Sequence, residues 1–130
     1  MKRNLALILV LSVLFLICGC AKTSVRKNAD VTLSYIYGED NINVTLTDDE
    51  AQKVIEILSG NSYEPVFSGV HSCGFDKNVS LKAGGRTFAI ALDTCNCIQD
   101  LGTLRYFDIP EEDMEYIHSL FEKYGGSFHN

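Results

Sequence analysis

HSCGFDKNVSLKAGGRTFAIALDTCNC, residues 71–97, is the stretch that decides how this chain folds. Val79, Leu81 and Ala83 alternate with Ser80 and Lys82, and Phe88, Ile90 and Leu92 share one parity farther on. A period of two marks strands with one buried face. Gly84-Gly85 between them accepts the positive φ angles of a two-residue type I′ loop. With those glycines as the loop, Ala83 faces Arg86, Leu81 faces Phe88 and Val79 faces Ile90. The apolar residues of both strands then fall on one face, which fixes the register. The same count sets Cys73 opposite Asn96, flanked diagonally by Cys95 and Cys97. A single bulge would bring Cys73 directly opposite one of the two.

Upstream, LSYIY (33–37) and INVTL (42–46) alternate around Gly38-Glu39-Asp40-Asn41, a loop composition, and form a first hairpin with Ile42, Val44 and Leu46 inward. Thr47-Asp48-Asp49-Glu50 is a capping box opening a helix whose stripe is Ala51, Val54, Ile55 and Leu58, and Gly60 ends it. The cap accounts for this acidic run, which lacks the spaced oxygen ligands of a calcium loop. Ser62–Val70 is expected as an irregular or edge strand because Pro65 cannot donate to a ladder. Residues 98–102 are expected as a connection and Leu104–Ile109 as a last strand. Pro110 then opens a second helix with Glu111, Glu112 and Asp113 in its first turn. Met114, Ile117, Leu120, Phe121 and Tyr124 form its inward stripe, and Gly125-Gly126 stops it. The fold class is therefore α+β, in the order ββαββββα. An antiparallel sheet of five to six strands carries two amphipathic helices on one face.

At the other extreme of the chain, Lys2 and Arg3 precede an apolar run from Leu5 to Ile17, which is a secretory signal pattern and too short for a spanning helix. The ending Ile17-Cys18-Gly19-Cys20 resembles the lipobox of bacterial lipoproteins. The resemblance implies cleavage after Gly19 and lipidation of Cys20, with Cys18 disfavoured by the bulky Ile17 before it. The expected organisation is a signal peptide over 1–19, a lipidated tether over 20–30 and one α+β domain over 31–130. The tether reading rests on the aperiodic, polar Ala21–Asp30, whose Lys22, Arg26 and Lys27 would favour an anionic lipid surface.

Loss of residues 1–19 removes two cations and no acid, so Lys+Arg falls from 11 to 9 against 17 Asp+Glu, and the net charge moves from −6 to −8. An acidic domain of this kind argues against a nucleic-acid partner. The 111 residues that remain suffice for one modest core.

Cys73, Cys95 and Cys97 are the thiols left for chemistry. Outside the cytoplasm a disulfide from Cys73 is the leading expectation. Cys95 is preferred over Cys97 as its partner because it closes the smaller loop. Such a clamp adds about 3 kcal/mol. Two alternatives stay open. The third cysteine could attack the bridge and shuffle it, or His71, Cys73, Cys95 and Cys97 together could hold zinc or copper. Asp76 and Asp93 face each other by the register count, as a solvated pair or an acid–base pair. His118 falls at the edge of the second helix's stripe and His129 in the tail, and neither acquires a catalytic partner. Without a phosphate loop or a nucleophile elbow, no enzyme activity and no cofactor are expected.

Tyr35, Tyr37, Tyr63, Phe67, Tyr106 and Phe107 are more aromatics than a sheet under two helices needs. They either fill the sheet–helix core or leave an aromatic outer face for a partner. The sequence thus describes a lipid-anchored extracytoplasmic domain that binds a protein, peptide or small ligand. A metal or thiol site at the hairpin end is the alternative.

Overall fold

The computed structural model describes residues 21–65 and 72–128. The signal peptide, Cys20, most of the expected edge strand with Phe67, and also His71 and His129, lie outside the described residues. Six antiparallel strands form one sheet: β1 (Val31–Tyr37), β2 (Asp40–Thr45), β3 (Phe75–Ala83), β4 (Arg86–Ala91), β5 (Cys97–Asp100) and β6 (Arg105–Asp108). Their spatial order is β2-β1-β3-β4-β5-β6. Helices α1 (Asp48–Leu58) and α2 (Glu111–Lys123) complete the order ββαββββα. Among the described residues no helix is long and apolar enough to cross a membrane.

The central hairpin has the expected register at its loop, with Ala83 opposite Arg86 and Leu81 opposite Phe88. Gly84 and Gly85 take φ of 58° and 81°, as a type I′ turn demands. Farther along, the register slips. Between Ser80 and Phe75, β3 spends four residues where β4 spends only Ile90 between Ala89 and Ala91. Asp76 accepts the Asn78 amide at 2.8 Å, a local turn that absorbs the surplus. The slip removes Asp76 from its expected place opposite Asp93.

Two strand assignments change. Ser62 makes only an isolated bridge to Lys22, so no edge strand forms in the described part of 62–70. The count of four strands after α1 is made up instead by β5, the third of them, in the stretch expected as a connection. Its core-facing positions are Ile98, opposite Ile90, and Asp100, opposite Phe88. A fully buried aspartate at an inward position breaks the apolar alternation, which is why the strand escapes a pattern search.

Ala21–Asp30 is not a tether. Thr23 and Val25 are buried. The Thr23 amide donates to the Asn61 carbonyl and the Gly60 amide to the Thr23 carbonyl, each at 2.8 Å. The Thr23 hydroxyl accepts from the Asn61 amide at 2.9 Å. The segment is a strap that closes one end of the core beside the Gly84-Gly85 turn. Polar composition misled here because the strap is held by its backbone.

That end is locked by one buried charge. The Asp100 carboxylate accepts from the Arg86 guanidinium and, at 2.6 Å, from the Tyr63 hydroxyl. Arg86 also donates to the Ser24 carbonyl at 2.8 Å and to the Tyr63 oxygen. Burial pushes the Asp100 carboxyl up, but the donors Tyr63, Arg86 and the Gly102 amide outweigh burial and hold it below its ordinary value.

The helices are coupled at the opposite corner. The Glu50 carboxylate accepts from the Thr47 amide and hydroxyl, the expected cap. It also accepts from Lys123 Nζ at 2.6 Å and the Tyr124 hydroxyl at 2.7 Å, which tie α1 to the end of α2. Gly126 fits closely where the chain leaves α2, since a Cβ there would lie 3.1 Å from the Tyr35 ring and the Phe121 carbonyl and would press on both.

Replacing Asp100 by alanine strands the Arg86 charge and should lower unfolding free energy by about 3 kcal/mol in urea titrations. Glu50 predicts a pH signature. Chiefly through Lys123, its pKa is lowered from 4.5 to about 2. A depressed carboxylate stabilises the fold above its unfolded value and stops doing so as pH falls through the folded one. Glu50→Gln should therefore be less stable than the parent at pH 7, by about 1–2 kcal/mol for a lost charged cap and tie. Chemical denaturation across pH should show that deficit shrinking between pH 4.5 and pH 2.

Candidate functional site

Cys73 and Cys95 form the disulfide, with Cα atoms 5.9 Å apart. The β3 bulge resets the pairing to Phe75 opposite Ala91, which carries Cys73 away from its expected place opposite Asn96 and leaves it diagonal to Cys95. Asp93 then braces both sides of the bridge: Oδ2 accepts the Gly74 amide at 2.8 Å and Oδ1 the Cys95 amide at 3.0 Å. The Leu92 amide donates to the Gly74 carbonyl at 2.9 Å, closing the ladder behind it. Asp93 thus has a structural task at the clamp in place of the expected pairing with Asp76.

Cys97 goes elsewhere. It is 2% exposed, on the sheet face away from the helices, and pairs in register with Asp108. Its sulfur and carboxylate oxygens of Glu64 and Asp108 all lie within 4.8 Å of one another. Burial, then the negative charges of Asp108 and Glu64, push its thiol up to about 12. A thiol held protonated is a poor nucleophile, so shuffling of the bridge by Cys97 has no support in this arrangement. The four-ligand set expected as the metal alternative is divided. Cys73 and Cys95 spend their sulfurs on each other, Cys97 sits among different neighbours, and His71 lies outside the described residues.

The braced loop Asp93–Asn96 forms one wall of a cleft of about 380 Å³ whose other wall is α2. His118 is part of its lining. The Nε2–H of its ring faces the Ala91 carbonyl at 3.3 Å, and the ring stacks on Phe128 at a centroid distance of 4.1 Å and 13° between planes. Burial lowers its pKa, outweighing the bond to Ala91 and the charge of Glu122, and so favours the neutral ring. Asp93, Glu111, Glu115 and Glu122 ring the opening, and Met114 and Phe128 supply apolar surface. The arrangement offers a flat aromatic platform inside a negative rim. Sequence reading placed His118 at the helix edge and missed Phe128, whose role depends on the chain folding back after Gly126.

The aromatic excess resolves mainly into the core. Tyr35 and Phe107 are buried, and Tyr63 packs edge-on against Phe107 at 6.0 Å. Tyr106 meets Phe75 on the other sheet face at 5.5 Å and its hydroxyl accepts from Gln99 at 3.1 Å. Of the described members of the expected aromatic face, only Tyr37 is largely exposed, beside Ile36.

No protein-family model matches this chain, and no curated protein or solved structure matches it either.

Alkylation of the domain beginning at Ala21 should follow these environments. At pH 8 the folded protein should take up no iodoacetamide. It should take up one equivalent in urea and three after reduction in urea, counted by intact mass. Uptake in the native state would contradict the buried, protonated Cys97.

Proposed function

We propose that this chain is a lipid-anchored extracytoplasmic domain that binds a cation-bearing peptide or small ligand in the cleft between the Asp93–Asn96 loop and α2. The observation that carries the reading is the cleft itself: a stacked His118–Phe128 platform inside a rim of carboxylates, with one wall braced by a disulfide. Carboxylates around an apolar floor favour an amine or guanidinium carried on a flat or aliphatic body. Rigid walls lower the ordering cost of binding. The anchor is supported by Lys2 and Arg3, the apolar run and the Ile17-Cys18-Gly19-Cys20 pattern. A disulfide clamp fits an oxidising compartment.

Each half has its own test. Cys20→Ser should shift the chain from the membrane fraction to the soluble fraction, whereas Cys18→Ser should leave it membrane-bound. Equal behaviour of the two variants would sink the anchor. For the cleft, tyramine and 4-hydroxyphenylacetate share a ring and differ in charge. In amide NMR titrations tyramine should move resonances of 93–96 and 115–122, and the acid should not. Shifts that ignore charge, or that fall outside these two walls, would remove the cleft from consideration.

A further inference from the structure

The strap leaves no spacer between Cys20 and the folded domain. The Tyr63 amide donates to the carbonyl of Ala21 at 3.3 Å, and pairing continues through Lys22, opposite Ser62, and Thr23. An acyl chain on Cys20 would therefore be fixed within one residue of the fold. The same region carries an oddity. Leu104, in the turn between β5 and β6, is 67% exposed and holds φ at +56°, a left-handed conformation that favours glycine. It adjoins the chain entry: Arg105 lies over the Tyr63 ring at 4.7 Å and donates to the Glu64 carbonyl at 3.0 Å. Among the described residues this leucine is not part of the hydrophobic core. Lys22, Arg26 and Lys27 on the strap are exposed too, and Arg26 lies against the Gly84 turn at the same end. Asp48 and Asp49 lie beside Asn28–Asp30 where the strap meets β1, and Val31 there pairs with Ala83, one residue from the Gly84 turn. The cleft loop, Asp93–Asn96, lies at the other end of β4 from Arg86.

We propose that the strap end seats directly on the bilayer, with Leu104 dipping into the interface, the strap cations against anionic headgroups, and the cleft held outward. The proposal rests on the lipid-anchor reading and adds a fixed orientation to it. Each strap cation at an anionic surface favours the seat about fivefold, Asp30, Asp48 and Asp49 at the same end act against it, and the acyl chain and Leu104 carry the orientation.

The protein contains no tryptophan, so an introduced one reports alone. Residues 20–130 are coupled through Cys20 to a maleimide lipid in vesicles of phosphatidylcholine and phosphatidylglycerol that also carry a headgroup spin-label quencher. Coupling by this route makes the result independent of lipidation in the cell, so failure of the anchor reading and failure of the seat remain separable. Tryptophan at Ser24 or Leu104 should lose more than half its emission, and tryptophan at Ser119, beside the cleft, less than a tenth. Equal quenching at the two ends, or none at either, overturns the proposal. Leu104→Gly removes the backbone strain, so the thermal midpoint should hold or rise while partition of the uncoupled domain onto the same vesicles falls about fivefold. Unchanged partition would mean that Leu104 does not touch lipid. Ile36→Ser, at the opposite end of the sheet, should leave partition unaltered, and a fall there would reverse the assigned orientation.

Discussion

The carboxylate of Asp100 is the point on which the architecture turns. It is fully buried and is held ionised by Arg86 and Tyr63, and Arg86 extends the connection to Ser24. Four segments distant in sequence meet there: the strap, the chain after α1, the start of β4 and the end of β5. An unpaired charge at that depth would be untenable, so each segment depends on the others being in place. Apolar residues could fill the same volume. They would not dictate that the strap lie over this end and no other.

Where the sequence was legible, local chemistry and tertiary demand agreed. Gly84-Gly85 and the flanking alternation specify the central hairpin, and Thr47 with Glu50 specifies the start of α1, since turn type and cap geometry are set within a few residues. Legibility failed wherever distant partners rewrote local preference. Asp100 reads as a loop residue because its charge is satisfied by Arg86 and Tyr63, far away in sequence. Ala21–Asp30 reads as a tether because its bonds run through backbone amides, which have no residue signature. The β3 bulge depends on Asp76 bonding Asn78, a choice invisible to a register count. At the site, the Cys73–Cys95 pairing followed from compartment and loop size. The His118–Phe128 platform did not, because Phe128 arrives only after the chain reverses at Gly126.

The three cysteines of the domain show how environment divides one functional group into separate roles. Cys73 and Cys95 meet in a bridge oriented by Asp93. Cys97, two residues on, points to the opposite face, where burial, then Asp108 and Glu64, suppress its thiolate. Strand alternation begins at Cys97, and that beginning separates a structural cross-link from a silent thiol. The same separation protects the bridge, because the nearest thiol in sequence is held protonated.

The strap also imposes an order on folding. Its bonds reach from Ser24 to Arg86, 62 positions away, and from Thr23 to Asn61, 38 away. A chain that emerges amino end first presents the strap before any of its partners. Until β5 is in place, the strap has no Arg86–Asp100 node to close against, and the core lies open at that end. Non-local closure of this kind is slow. The domain therefore stays open at that end for an interval in which the shorter-range contacts of the central hairpin can already form.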